Sequence, residues 1–156
     1  MLSSLFKITF VVTSLLVTPT TSCRCFQQPT VENSLADEAN TEALRVRVKN
    51  QVYPPGSDPR GERYYAARVK AVFKGEERLP SQRILIKTAT HSCGYSFQND
   101  TVYLLFLSEL EEEAIEGIST FGLRPCDQNI MWDALDAEEK GTLKGYRDNE
   151  NMGGGI

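Results

Sequence analysis

Apolar and charged residues alternate along Leu44-Arg45-Val46-Arg47-Val48-Lys49. That period of two predicts a half-buried strand. Tyr64 to Phe73 reads as a second strand, ended by Lys74-Gly75, and Arg83 to Lys87 as a third. Thr101 to Leu107 is apolar almost throughout, so the fourth strand is expected to be buried on both faces. Ile118 to Leu123 makes a fifth. Between the first two strands, Tyr53-Pro54-Pro55-Gly56-Ser57-Asp58-Pro59-Arg60-Gly61 is dense in turn residues and reads as a long exposed hairpin loop. The acidic run Glu109 to Glu113 reads as a solvated loop. Thr30 can cap a short helix with Val31, Leu35 and Ala39 on one face. Asp136 and Glu139 form a capping-box pattern at the start of a second helix. Leu143 and Tyr146 supply its apolar side, and Gly141 and Gly145 weaken it. Arg147 to Ile156, with three consecutive glycines, is expected to be a disordered tail. Five short strands with long loops and a C-terminal helix predict a mainly β fold, a small closed barrel of the OB type with flanking helices.

The first 22 residues depart from this pattern. Lys7 gives a weakly positive start, and Phe10 to Val17 is a short apolar run broken by Thr13 and Ser14. Thr20-Thr21-Ser22 then offers small residues where a signal peptidase reads. Residues 1–22 therefore read as a secretory signal, too short to span a membrane. No later apolar run approaches the roughly 20 residues a span needs, so no membrane anchor is expected. A lipid anchor on Cys23 would need a lipobox, and Thr20 stands where leucine is required. The expected product is a secreted extracellular protein.

The whole chain of 156 residues carries a net charge of −4. Removing residues 1–22 removes one charge, Lys7, and makes the balance more acidic. Nucleic acid is a poor partner for such a chain, because phosphate binding needs a basic footprint. Four cysteines, Cys23, Cys25, Cys93 and Cys126, all follow the signal. An even number in an exported chain implies two disulfides, with three possible pairings. Cys23 and Cys25 can join each other only at high strain, so the N-terminal pair is expected to be tied to Cys93 and Cys126.

Catalysis finds little support. His91 is the only histidine, the cysteines are expected to be bonded, and no GxSxG, HExxH or P-loop motif occurs. The informative feature is the signal boundary. Cleavage after Ser22 leaves Cys23 first, with a free α-amino group of ordinary pKa near 8. A neutral amine and the carbonyl of the same residue can chelate one metal in a five-membered ring. Its evident use is to enter a catalytic zinc site with an open coordination position.

Several motifs agree with that use. Cys23-Arg24-Cys25 opens the mature chain, a strand from Val69 ends in Lys74-Gly75, and Cys93-Gly94-Tyr95 follows the third strand. Cys126 is followed by Trp132, Leu135 and the helix from Asp136 to Tyr146. In this order and spacing, residues 23–146 resemble the inhibitory domain of the tissue inhibitors of metalloproteinases, one of the netrin-like (NTR) modules. The resemblance implies a five-stranded OB-type barrel and the pairings Cys23–Cys93 and Cys25–Cys126. It also implies an inhibitory ridge that lies in a metalloproteinase cleft, made here of Cys23, Arg24, Cys25, Phe26 and Gln27 with Ala89, Thr90, His91, Ser92 and Cys93. Cys23 would chelate the zinc of the target enzyme and displace its catalytic water.

Three departures matter. The family's third disulfide and its C-terminal subdomain are missing. Arg24 stands where inhibitors carry threonine or serine facing the apolar S1′ pocket. Phe26 and Gln27 replace a small residue followed by proline. Either the target has an acidic or open S1′ pocket, or the inhibitory function has been lost. The expected partner is a zinc metalloproteinase, with extracellular matrix as a further partner. The chain is expected to be a monomer without a cofactor or a metal of its own. The alternative is a non-inhibitory NTR-like module that binds another extracellular protein. Asn99-Asp100-Thr101 is a glycosylation sequon, compatible with export.

Overall fold

The computed structural model describes residues 29–75, 82–90, 94–124 and 129–153 of the chain, with side chains to residue 148. Helix α1 (Val31–Ala36) leads into strands β1 (Glu42–Val52), β2 (Glu62–Lys74), β3 (Arg83–Ala89), β4 (Val102–Glu109) and β5 (Thr120–Leu123). A two-residue strand, β6 (Ile130–Met131), a 3-10 turn at Trp132–Ala134 and helix α2 (Ala137–Gly153) complete the fold. The strand order is β1-β2-β3-β5-β4-β6, and a further β1–β4 pairing closes the first five strands into a barrel. The β3–β5 pair is parallel and the others are antiparallel. The architecture is a mainly β, OB-fold-like closed barrel with two helices, as the sequence predicts.

Closure depends on β1. It pairs with β2 along one edge and with β4 along the other. Three irregularities in the β1–β2 register bend the ribbon, which lets one long strand serve both neighbours. The side-chain alternation of β1 sends Leu44, Val46 and Val48 inward, each fully buried. They meet Tyr65, Ala67, Ile84, Ile86, Tyr103, Leu105, Leu107 and Phe121 in the barrel core.

A second core lies on the outer surface of the barrel. Leu104 and Phe106 point out from β4 against Val31 and Leu35 of α1 and Leu143 of α2. This is why β4 is apolar at consecutive positions: odd and even residues serve different cores. Burying each of these large side chains fully contributes about 1.5–3 kcal/mol relative to leaving it exposed.

Local chemistry fixes both helices. The Thr30 hydroxyl accepts a hydrogen bond from the Asn33 amide at 3.2 Å. At the other end of α1, the Lys74 ammonium donates to the carbonyls of Leu35 and Asp37 at 2.8 and 2.7 Å. In α2 the capping box is reciprocal. The Glu139 amide donates to Asp136 at 2.8 Å, and the Asp136 amide donates to Glu139 at 3.1 Å.

The expected disordered tail from Arg147 is corrected over residues 147–153, because α2 runs to Gly153, and residues 154–156 lie outside the described residues. No proline interrupts it, and residues such as asparagine cost only some tenths of a kcal/mol per helical position relative to alanine. Once Leu143 and Tyr146 dock on the second core, the further turns follow. Ala39, expected on the α1 face, lies beyond the end of that helix. Asp37 ends α1 there, its carboxylate accepting the Ala39 amide at 2.9 Å.

Candidate functional site

Of the expected ridge, the structure describes Ala89 and Thr90. Cys23, Arg24, Cys25, Phe26, Gln27, His91, Ser92, Cys93 and Cys126 lie outside the described residues, and so do the two disulfides.

The described flanks of the ridge are firmly held. Ala89 ends β3 in register with Glu62. The Thr90 amide donates to the Gly61 carbonyl at 3.3 Å, and the Thr90 hydroxyl donates to the Arg60 carbonyl. The hairpin loop is itself tied off there. The Asp58 carboxylate accepts the Arg60 amide at 2.9 Å, and the Asp58 carbonyl accepts the Gly61 amide at 3.1 Å. The chain beyond residue 93 returns beside the same strand, where the Tyr95 amide donates to the buried Thr88 hydroxyl at 2.8 Å.

Aromatic rings close this end of the barrel. Phe97 packs edge-on against Tyr65 and Tyr103, with centroids 5.0 Å away in each case, and Tyr95 lies 4.8 Å from Phe97. Burial raises the Tyr95 phenol above its ordinary pKa, with the Tyr103 phenol adding to the effect. The Tyr95 hydroxyl donates to the Asn129 carbonyl at 2.8 Å. That bond joins the stretch after Cys93 to the stretch after Cys126.

The chain also forms an open cleft of about 640 Å³. Pro54 to Ser57 form one wall, Leu110 to Ala114 form the other, and Glu62, Tyr64 and Lys87 line the floor. Lys87 pairs with Glu62 at 2.5 Å, and the Tyr64 hydroxyl donates to the same carboxylate at 2.8 Å. The Lys87 bond, then the Tyr64 bond, holds the Glu62 carboxyl below the ordinary carboxylate range. Glu62 in turn raises Lys87. Burial first, and then Glu62, raises Tyr64.

The two walls were legible as loops, but their meeting was not. Both positions are turn-rich or acidic in sequence, and only barrel closure brings them face to face. The Glu62–Tyr64–Lys87 cluster carried a weak signal, since Tyr64 and Lys87 lie on two adjacent predicted strands and Glu62 falls just before the first of them.

Asn99 is exposed at the turn before β4, where Asp100 takes a left-handed conformation at φ 57°. The Thr101 hydroxyl donates to the Asn99 carbonyl at 3.3 Å. The sequon is therefore sterically open. Among the described residues, no three histidine, cysteine, aspartate or glutamate side chains are grouped to hold a metal ion. None of the described helices is long and apolar enough to cross a membrane.

No family model and no curated protein matches the chain.

Proposed function

We propose that the chain is a secreted inhibitor of zinc metalloproteinases that acts through its mature N-terminus. The α-amino nitrogen and carbonyl oxygen of Cys23 chelate the zinc of the enzyme in a five-membered ring and take the place of its bound water. Arg24 then faces the S1′ pocket, and Ala89 to Cys93 extend the ridge along the cleft.

The observation that carries this reading is the bond from Tyr95 to Asn129. A Cys-x-Cys terminus can be stapled at both cysteines only if its two partners lie close together on the barrel. Cys93 is two residues from Tyr95 and Cys126 three from Asn129. The bond therefore ties together the described stretches that follow the two cysteines. The anchoring of Thr90 on Arg60 and Gly61 adds a fixed flank, as a ridge that enters a cleft without rearranging requires.

The test compares inhibition constants of the mature protein, an N-acetylated form and a form extended by one alanine. Chelation needs the nitrogen lone pair, which an amide delocalises. Both blocked forms should lose inhibition by two orders of magnitude or more while their melting temperatures stay unchanged. Equal potency of all three forms would overturn zinc chelation.

Arg24 favours a second reading, the non-inhibitory NTR-like binding module. An unpaired guanidinium in an apolar S1′ pocket is costly. An absence of inhibition by the mature form across a broad panel of metalloproteinases would establish that alternative over the first.

A further inference from the structure

The lining of the cleft explains its form. Tyr64 of β2 stands in register with Lys87 of β3, and Lys87 with Gly122 of β5. Directly opposed residues on neighbouring strands project from one face. Tyr65, Ile86 and Phe121 face the barrel core, so this row is a platform on the outside of the barrel. Gly122 keeps its end of the platform low. A methyl group there would stand 3.2 Å from Leu110 Cδ2, so the missing side chain lets Leu110 lie against the sheet as the foot of one wall. The other wall is stiff. Proline fixes φ at Pro54 and Pro55, and the Pro54 carbonyl accepts both the Ser57 amide at 3.1 Å and the Ser57 hydroxyl at 2.7 Å. The volume of about 640 Å³ falls within the range of ligand clefts, about 300–1,000 Å³. Its place is also informative. Barrels of the OB type take their ligands over strands β2 and β3, between the β1–β2 and β4–β5 loops.

The charges of the cleft are unequally matched. On the floor, the Glu62 carboxylate is occupied by Lys87 and by the Tyr64 hydroxyl. On the rim, the Glu113 carboxylate accepts the Gly117 amide at 2.8 Å and so closes its own loop. Glu111 and Glu112 are exposed, and their carboxylates form no ion pair or hydrogen bond among the described residues. By themselves these acids would be a solvated loop. Here they edge a preformed cleft with a self-neutralised floor and apolar surface at Pro54, Pro55 and Leu110.

We propose that this cleft binds an arginine-bearing segment of a protein partner. A guanidinium meets a carboxylate in a bidentate pair, and its aliphatic stem packs along the proline wall. A nucleic acid strand does not suit the cleft. The rim repels phosphate, and the aromatic ring of the floor, Tyr64, is buried with the Lys87 ammonium 5.8 Å from its centre, so no base can stack on it. Among the described residues the acids are not grouped as a metal-ion site, which favours an organic cation. None of the lining residues belongs to the ridge, so the inference is independent of the zinc-chelating terminus.

The test uses the purified full chain and a short fluorescent peptide of glycine and serine with two arginines. Its counterparts carry citrulline or glutamate at both arginine positions, and a labelled oligothymidine serves as the polyanion. Anisotropy is read at low and at physiological salt. The arginine peptide should bind, more weakly as salt rises, and at least about tenfold more tightly than any of the other three. The variant Glu111→Gln/Glu112→Gln should lose at least about tenfold in affinity, the scale of lost charge-assisted contacts. Ala114→Trp, which narrows the cleft at constant charge, should lose affinity as well while the melting temperature holds. The charge-matched control Glu38→Gln/Asp133→Asn, at exposed positions elsewhere, should bind as the wild type does. Calcium chloride at matched ionic strength should not displace the peptide. No binding of the arginine peptide, or equal binding of its citrulline form, would overturn the proposal. So would full affinity in Glu111→Gln/Glu112→Gln. Full affinity in Ala114→Trp would place binding outside the cleft, equal loss in the control would reduce it to net charge, and displacement by calcium would assign the rim to a divalent ion; each of these overturns the proposal too.

Discussion

Gly75 lies against the carboxylate of Glu42, so closely that a methyl group on its Cα would stand 1.7 Å from Oε2. Its φ of 104° is also one that side chains rarely adopt. Both facts belong to the exit of β2, where the strand leaves the barrel beside the buried start of β1. Gly75→Ala should therefore destabilise the protein by about 2–4 kcal/mol, from backbone strain together with displacement of a buried carboxylate. Denaturant unfolding checks the value. In a Glu42→Ala background the same substitution should cost less, because only the strain remains. An undiminished cost there would place the whole effect in the backbone.

The five strands and both helix starts were legible because each rests on local chemistry. Alternation set the inward residues of β1, the Asp136–Glu139 pair set the start of α2, and the near-continuous apolar run of β4 foretold burial on both its faces. What the sequence did not disclose depends on closure. Nothing in Pro54 to Ser57 names Leu110 to Ala114 as its neighbour, and nothing in Arg47 names Arg68 and Arg83. Those neighbours follow from strand register, which bulges shift by single residues. The same limit applies to β6, a two-residue strand whose Asn129 neighbour is fixed by the Tyr95 hydroxyl. The tail was misread for a different reason. Glycines and asparagines lower helix propensity, yet docking of Leu143 extends the helix beyond what propensity alone supports.

Gly141 and Gly145 offer a stabilising change. Both are exposed on α2, and a Cβ at either would meet no atom within 4 Å. Glycine in a helix interior costs about 0.8–1.0 kcal/mol relative to alanine, so each Gly→Ala substitution should add up to about 1 kcal/mol. The double variant should show nearly the sum, with no change in binding. A loss of stability would mean that α2 is not helical at these positions in solution.

The Glu62–Tyr64–Lys87 cluster should shape the pH dependence of stability. Glu62 titrates lower in the folded state than its ordinary 4.5, so its contribution is present above that value and is lost as pH falls through the depressed value. Lys87 and Tyr64 titrate higher than their ordinary 10.5 and 10.0. Their contributions are complete below those values and are lost as pH rises through the raised ones. The cluster therefore supports the fold between about pH 5 and pH 10. Glu62→Gln/Lys87→Met should cost about 1 kcal/mol at neutral pH, or roughly 3 °C in melting temperature, since both side chains are about one-third exposed. The variant should be flatter than the wild type on both flanks. It should keep part of the acid limb, because Asp37 and Asp100 are also held low, by the Ala39 amide and by Lys49 respectively. Parallel curves for the two proteins would show that the pair contributes nothing to folding.

The disulfides make the last prediction. Non-reducing peptide mapping of the protein should return Cys23–Cys93 and Cys25–Cys126, the pairing that the resemblance to the metalloproteinase inhibitors implies. The Tyr95–Asn129 bond ties together the stretches that follow Cys93 and Cys126, and by itself that would equally allow those two to join. One of the two other pairings leaves Cys23 and Cys25 to pair across a single residue, with Cα and Cβ positions that a disulfide accommodates only under strain; the other, Cys23–Cys126 with Cys25–Cys93, is set aside by the family resemblance alone and is separated by the mapping. Strain of that kind raises the reduction potential, so even if formed the bond would yield to exchange with the longer-range pairs. Those pairs close loops of roughly 70 and 100 residues, each with an upper guide of about 4–5 kcal/mol in the chain-entropy description. Gentle reduction should accordingly lower the melting temperature sharply and abolish inhibition with it, since an unstapled Cys23 no longer holds its amine in place. Recovery of a Cys93–Cys126 peptide would sink the assignment. Full inhibition by the reduced, still-folded protein would show that stapling is not what positions the amine.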